Sequence, residues 1–199
     1  MGQQLHSGVI DQLRQQMNRL ALGGRLLTGK ICSFGDPTLD AALPWGGLPA
    51  GSLHEMVGYA PAVTGFLGAY LGQVRPSRPI LWITPEQQIY APGLAAFGLD
   101  HRRLTIAWAC RAQDRLWAFE EALRTPGYAA VVAEIDGADL TATRRLQLAA
   151  ESGHGLGILI RRDTAVSAAL TRWRIEPALS DGCNPRWTVS LERCRGGQP

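Results

Sequence analysis

Lysine is nearly absent from this chain: of 20 basic residues only Lys30 is a lysine, which leaves nineteen arginines. Cysteine is also sparse, with four scattered residues, Cys32, Cys110, Cys183 and Cys194. None sits in a C-x-x-C pair and no histidine cluster accompanies them, which argues against a zinc site. Their scatter suits reduced thiols in a reducing cytosol. No apolar run approaches the ~18 residues of a membrane span. The first residues, with Gln3, Gln4, His6 and Asp11, lack the basic start and apolar block of a signal peptide, so a cytoplasmic protein is expected. Ser, His and Asp occur, yet no G-x-S-x-G elbow frames a nucleophile.

With 199 residues, the chain fits one compact domain with a short appendage, large enough to hold itself together without disulfide or metal. Its composition, 46% hydrophobic and 19% charged, is that of a soluble globular protein. A net charge of +3 permits nucleic-acid contact without arguing for it, so DNA contact is expected to be weak at most.

Val9, Leu13, Met17 and Leu20 recur at helical spacing among polar residues, which predicts an amphipathic helix ended near Gly23 and Gly24. Its apolar stripe suits packing on the chain's own core or on a partner. This gives an N-terminal helix and linker over 1–30, a globular α/β domain over 31–195 and a frayed tail over 196–199. Short apolar runs at 53–57, 80–84, 104–109, 129–135 and 156–160 read as strands. Helical patterns at 62–73, 91–97, 114–123 and 141–151 lie between them. Strands this apolar, alternating with helices, predict a mostly parallel sheet covered on both faces. Two later runs, 171–175 and 187–193, predict an antiparallel C-terminal edge.

The first apolar run leads into Gly58, Tyr59, Ala60, Pro61, Ala62, Val63, Thr64 and Gly65, where such sheets commonly carry a phosphate-binding loop. The chemistry required is G-x-x-x-x-G-K-[ST], with a second glycine for close approach, lysine for the phosphate oxygens and a hydroxyl for Mg²⁺. Counting from Gly58, Val63 replaces that glycine, Thr64 the lysine and Gly65 the hydroxyl residue. Pro61 removes one more N–H. Lys30 lies upstream, and no arginine occurs between Arg25 and Arg75. The loop is therefore read as degenerate, with no cofactor and no catalytic residue. Glu86 follows one strand and Glu134 lies near the end of another, where an ATPase would place its water-orienting and magnesium-organising carboxylates. They read as vestigial acids, with an unconventional NTPase as the alternative.

Arg144 and Arg145 sit early in a helix, suited either to an acidic partner or to solvent. Arg172 and Arg174 share one strand face, and Arg193 and Arg195 lie near the chain end. Together these four are expected to form an arginine rim along the sheet edge, competent for carboxylate or phosphate. Dispersed surface charge is the alternative.

The stretch 34–162 resembles the core of the RecA recombinases through Leu39, Asp40, Ala42, Leu43, Gly46-Gly47-Leu48-Pro49, Gly51, Glu55 and Gly58. Within that group the resemblance is to the ImuA family. It is carried by Leu53-His54-Glu55, Tyr90-Ala91-Pro92-Gly93-Leu94, Phe97-Gly98-Leu99-Asp100, Trp117 with Glu120 to Leu123, Arg144 to Ala150, Thr171-Arg172-Trp173 and Arg193 to Gly197. The resemblance implies a RecA-like fold and an accessory role in SOS-induced translesion synthesis. It also implies partners: an ImuB-like inactive Y-family polymerase, with RecA and an error-prone replicative-type polymerase as further contacts. SulA-type division inhibitors, a related family, supply a rival function. Only Asp163 to Leu170 separates two strands where a recombinase carries a longer DNA-binding loop, and the large C-terminal domain is missing. Both departures put strand exchange in doubt.

Overall fold

The computed structural model describes residues 30–86, 89–182 and 184–197. The amphipathic stripe of Val9, Leu13, Met17 and Leu20 lies outside them. Among the described residues nine strands and five α-helices follow in order. They are β1 (Ile31–Cys32), α1 (Pro37–Ala41), β2 (Leu48–Pro49), β3 (Ser52–Gly58), α2 (Ala60–Gln73), β4 (Ile80–Thr84) and α3 (Ala91–Ala95). Then come β5 (Leu104–Trp108), α4 (Ala112–Arg124), β6 (Ala130–Glu134), α5 (Leu140–Gly153), β7 (Leu156–Ile160), β8 (Thr171–Asp181) and β9 (Asn184–Cys194).

Seven strands form one sheet in the order β5-β4-β6-β7-β3-β8-β9. All pairings are parallel except β8 with β9, so the expected antiparallel edge is present. It is longer than expected: both strands have 11 residues, and only 171–175 of β8 pair with β3. The pair β1–β2, which joins Ile31–Cys32 to Leu48–Pro49, stands apart as a small second sheet.

Covering a parallel sheet on both faces buries its strands completely, and β3 is buried over its whole length up to Gly58. One face carries Met56, Trp82, Val132, Ile158 and Trp173 against Phe66, Leu67 and Tyr70 of α2. The other carries Leu53, Ile83, Val131 and Leu159 against Phe119, Leu123, Leu146 and Ala150 of α4 and α5. Burying each such side chain contributes about 1.5–3 kcal/mol.

The helix ends are closed by named groups. Asp36 caps α1 by accepting from Thr38 N and Leu39 N, and Asp139 caps α5 by accepting from Ala142 N. His154 closes α5 in the left-handed conformation, φ 59°. At the C-terminal end of α2 the Arg103 guanidinium donates to the carbonyls of Leu71, Gly72, Val74, Arg75 and Arg78. One arginine thereby satisfies what the helix leaves open.

Candidate functional site

The helix after β3 begins earlier than the sequence suggests, and this changes what the degenerate loop is. The strand ends at Gly58 and α2 starts at Ala60, with Tyr59 alone between them. Pro61 sits in the first turn, where a missing N–H costs nothing. Val63 N donates to Tyr59 O at 3.0 Å as an ordinary helical bond. Positions 63–65 therefore belong to helix, and no open cradle of backbone N–H groups exists there. Gly58 holds φ +132°, and a Cβ on it would stand 2.1 Å from Ile175 O. Its glycine serves close passage of β8. Gly65 faces Phe97 and Trp187, each 3.3 Å from where its Cβ would lie, so this glycine serves packing.

Above the C-terminal ends of β3, β4, β6 and β7 lies a cleft of about 630 Å³. Thr64, Gly65, Tyr90 and Phe97 line it, and so do both predicted acids, Glu86 and Glu134. The structure thus brings those two carboxylates to one cleft. Glu134 is held from below, accepting from Trp82 Nε1 at 2.8 Å. Glu86 is exposed at the mouth, where Thr84 Oγ1 donates to its carbonyl at 3.0 Å.

The arginines of the cleft lining are engaged within the chain. Arg115 donates to the carbonyls of Glu134, Ala109 and Cys110 at 2.7–2.8 Å. Arg162 pairs with Asp136 through Nε, Nη2 and its backbone N–H. Arg161 turns to the opposite face of the sheet, into a cluster that sequence reasoning missed. There Glu55 Oε1 accepts from Arg161 Nη1 at 2.8 Å, and Glu55 Oε2 accepts from Arg172 Nε at 2.7 Å. The Glu55 and Arg161 side chains are 0% exposed and Arg172 is 10% exposed. Arg161 also donates to Ala138 O and Asp163. Burial works against the Asp163 charge, but the Gly137 N–H, Arg161 and the Ala165 N–H outweigh it and hold the carboxyl at about 2.

This corrects the expected arginine rim. Arg172 and Arg174 do share a face, but Arg172 is buried on Glu55 and its remaining N–H groups hold the carbonyls of Thr164 and Ala165. Arg193 donates to Ser167 O and Arg195 to Ala168 O. Three of the four thus staple the segment from Arg162 to Leu170 to the core. Arg174 pairs with Glu192 and Glu176 at the surface. Of the helix pair, Arg145 donates to Glu120, whereas Arg144 is exposed.

His54, next to Glu55 on β3, points the other way, as strand alternation requires. Its Nε2 donates to Pro49 O at 3.0 Å, which leaves Nδ1 to accept from Thr171 Oγ1 at 2.9 Å. Burial lowers its pKa from 6.5 to about 4, the Pro49 bond opposing. It is a neutral core group. Among the described residues no group of three or more metal-ligating side chains occurs. No described helix is long and apolar enough to cross a membrane.

Protein ImuA of Caulobacter vibrioides, strains NA1000 / CB15N and ATCC 19089 / CIP 103742 / CB 15, is 38% identical over 202 residues, covering 85% of this chain and 80% of the relative. The chain belongs to the ImuA family. This ImuA-family chain is also matched over residues 53–157 by the family described as cell division inhibitor SulA. The SulA of Serratia proteamaculans (strain 568) is 34% identical over 116 residues, covering 56% of this chain and 68% of the relative. Among solved structures, SulA from Pseudomonas aeruginosa aligns with a TM-score of 0.49 and 21% identity, covering 58% of this chain and 100% of that one.

Proposed function

We propose that this ImuA-family chain is a non-catalytic RecA-like accessory protein of damage-induced mutagenesis. In this reading it acts as an adaptor to an ImuB-like inactive Y-family polymerase, with RecA and an error-prone replicative-type polymerase as further contacts. The observation that carries the non-catalytic part is the strand-to-helix junction at Gly58, Tyr59 and Ala60. A phosphate cradle needs several free N–H groups and a cation at that point. Here one residue links strand to helix, and the arginines of the cleft are held by carbonyls and carboxylates. Phosphoryl transfer at Glu86 and Glu134 would also need the lysine and the hydroxyl residue whose places Thr64 and Gly65 take. The adaptor part is supported by family membership and by the resemblance described above.

A second reading, division inhibition of the SulA type, draws on the match over 53–157. One experiment separates the two. The gene is deleted and then restored from a plasmid, and damage-induced mutation frequency and cell length are measured together. The accessory reading expects mutation frequency to fall on deletion and cells to keep their length on overexpression. Filamentation with unchanged mutation frequency would transfer the assignment to division inhibition.

A further inference from the structure

The two edges of the sheet are built differently. β9 carries Pro185, Arg186, Glu192 and Arg193, and its pairing with β8 shifts register at 172/173 and between 178 and 181. Proline, charge and bulges are the devices that keep an edge strand from pairing with another chain. β5 has none of them. Its residues are Leu104, Thr105, Ile106, Ala107 and Trp108, and its register with β4 runs unbroken from Ile80–Leu104 to Thr84–Trp108.

The backbone of β5 shows which groups are open. Ala109 N donates to Thr84 O at 3.1 Å. Backbone groups alternate sides along a strand, so residues 105 and 107 also face β4. The N–H and C=O of Ile106 and Trp108 face outward, beyond the last strand. Their side chains are exposed as well, Ile106 by 39% and Trp108 by 55%. Trp108 is preset, because its Nε1 donates to Pro85 O at 2.6 Å. Exposed polar residues bracket the strand: His101 and Arg102 before it, Arg111 after it. Arg102 is tied to Asp100, which leaves the Arg111 guanidinium, with the His101 imidazole as a hydrogen-bond donor, as the complement to acids on an incoming chain.

We propose that β5 accepts an extended segment of a protein partner as an eighth strand, apolar at alternate positions and acidic at its ends. Main-chain bonds to Ile106 and Trp108 would supply affinity, and the Ile106 and Trp108 side chains would supply selectivity. The proposal rests on the accessory reading for the source of that segment, the polymerase-like partner named above.

Residue-resolved amide exchange on the full chain, with and without the purified full-length partner, tests it. The proposal expects exchange at Ile106 and Trp108 to slow at least tenfold on binding. Ile106→Pro removes one outward N–H and no bond to β4, so it should weaken binding at least tenfold and leave Tm within a few degrees. If that variant does not fold, Ile106→Lys provides the same comparison through the side chain. Binding with both amides exchanging as in the free chain would overturn the edge proposal and leave the accessory reading intact. No binding at all would overturn both. Protection that grows with the chain's own concentration, without partner, would overturn it in favour of a second copy.

Discussion

The two faces of the sheet treat charge in opposite ways at the C-terminal ends of its strands. On the α4–α5 face a carboxylate and two guanidiniums, Glu55, Arg161 and Arg172, are sealed in the core and bonded to one another. On the α2–α3 face an open cleft holds Glu86 and Glu134 beside a helix that already includes Val63, Thr64 and Gly65. Charge on one side is paired inside the core, and charge on the other opens onto a cleft. Being charged near a strand end therefore says little about function until burial and partners are known.

The contrast breaks most visibly at Glu55. Glu55→Ala leaves two buried guanidiniums without the carboxylate they share, a change that costs about 3–5 kcal/mol. Thermal denaturation should show a fall in Tm of roughly 10 °C or more. A fall of under ~2 °C would mean that water reaches the cluster and that its burial is overstated.

His54 sharpens the same contrast through pH. Its folded pKa of about 4 lies below its ordinary 6.5, so the unfolded chain binds the proton more tightly. Stability is then fully present above about pH 6.5, declines as pH falls, and levels off below about 4. The full span is roughly 3 kcal/mol. Urea unfolding at pH 7 and pH 4.5 measures it. His54→Gln should flatten the difference, and an unchanged slope would assign the acid sensitivity to other groups.

Surface cations give the smallest effects. Reversing Arg144 or Arg174 should move stability by under ~0.5 kcal/mol, whereas Arg172→Ala should resemble Glu55→Ala in scale. Chemical denaturation of the three variants checks that ordering. Equal costs for Arg172 and Arg174 would restore the idea of a continuous exposed rim.

Much of this architecture is legible in the residues themselves. The strand runs at 80–84 and 156–160 have the bounds expected of them, because apolar residues flanked by turns leave few alternatives. That Val63, Thr64 and Gly65 depart from the phosphate-loop pattern is readable whatever their conformation. Less legible is that they are helical, although Pro61 in a first turn is a helix-start signal. The pair β1–β2 is too short for periodicity to reveal. The Glu55 cluster joins residues 106 and 117 positions apart, which no local pattern encodes. One clue was available: a carboxylate in a buried strand must be paired, and Arg161 and Arg172 lie at the ends of neighbouring strands. That β5 lies at an edge follows from strand order alone, which the sequence does not display.

The central claim, the proposal that this chain does not hold a nucleotide in the phosphate-loop manner, is tested most directly by titration calorimetry of the purified chain with Mg-ATP. With helix from Ala60 onward and no lysine at the junction, no saturable heat is expected at micromolar to high-micromolar nucleotide. A one-site isotherm with a low-micromolar Kd, abolished by substitution of Glu86 or Glu134, would contradict it.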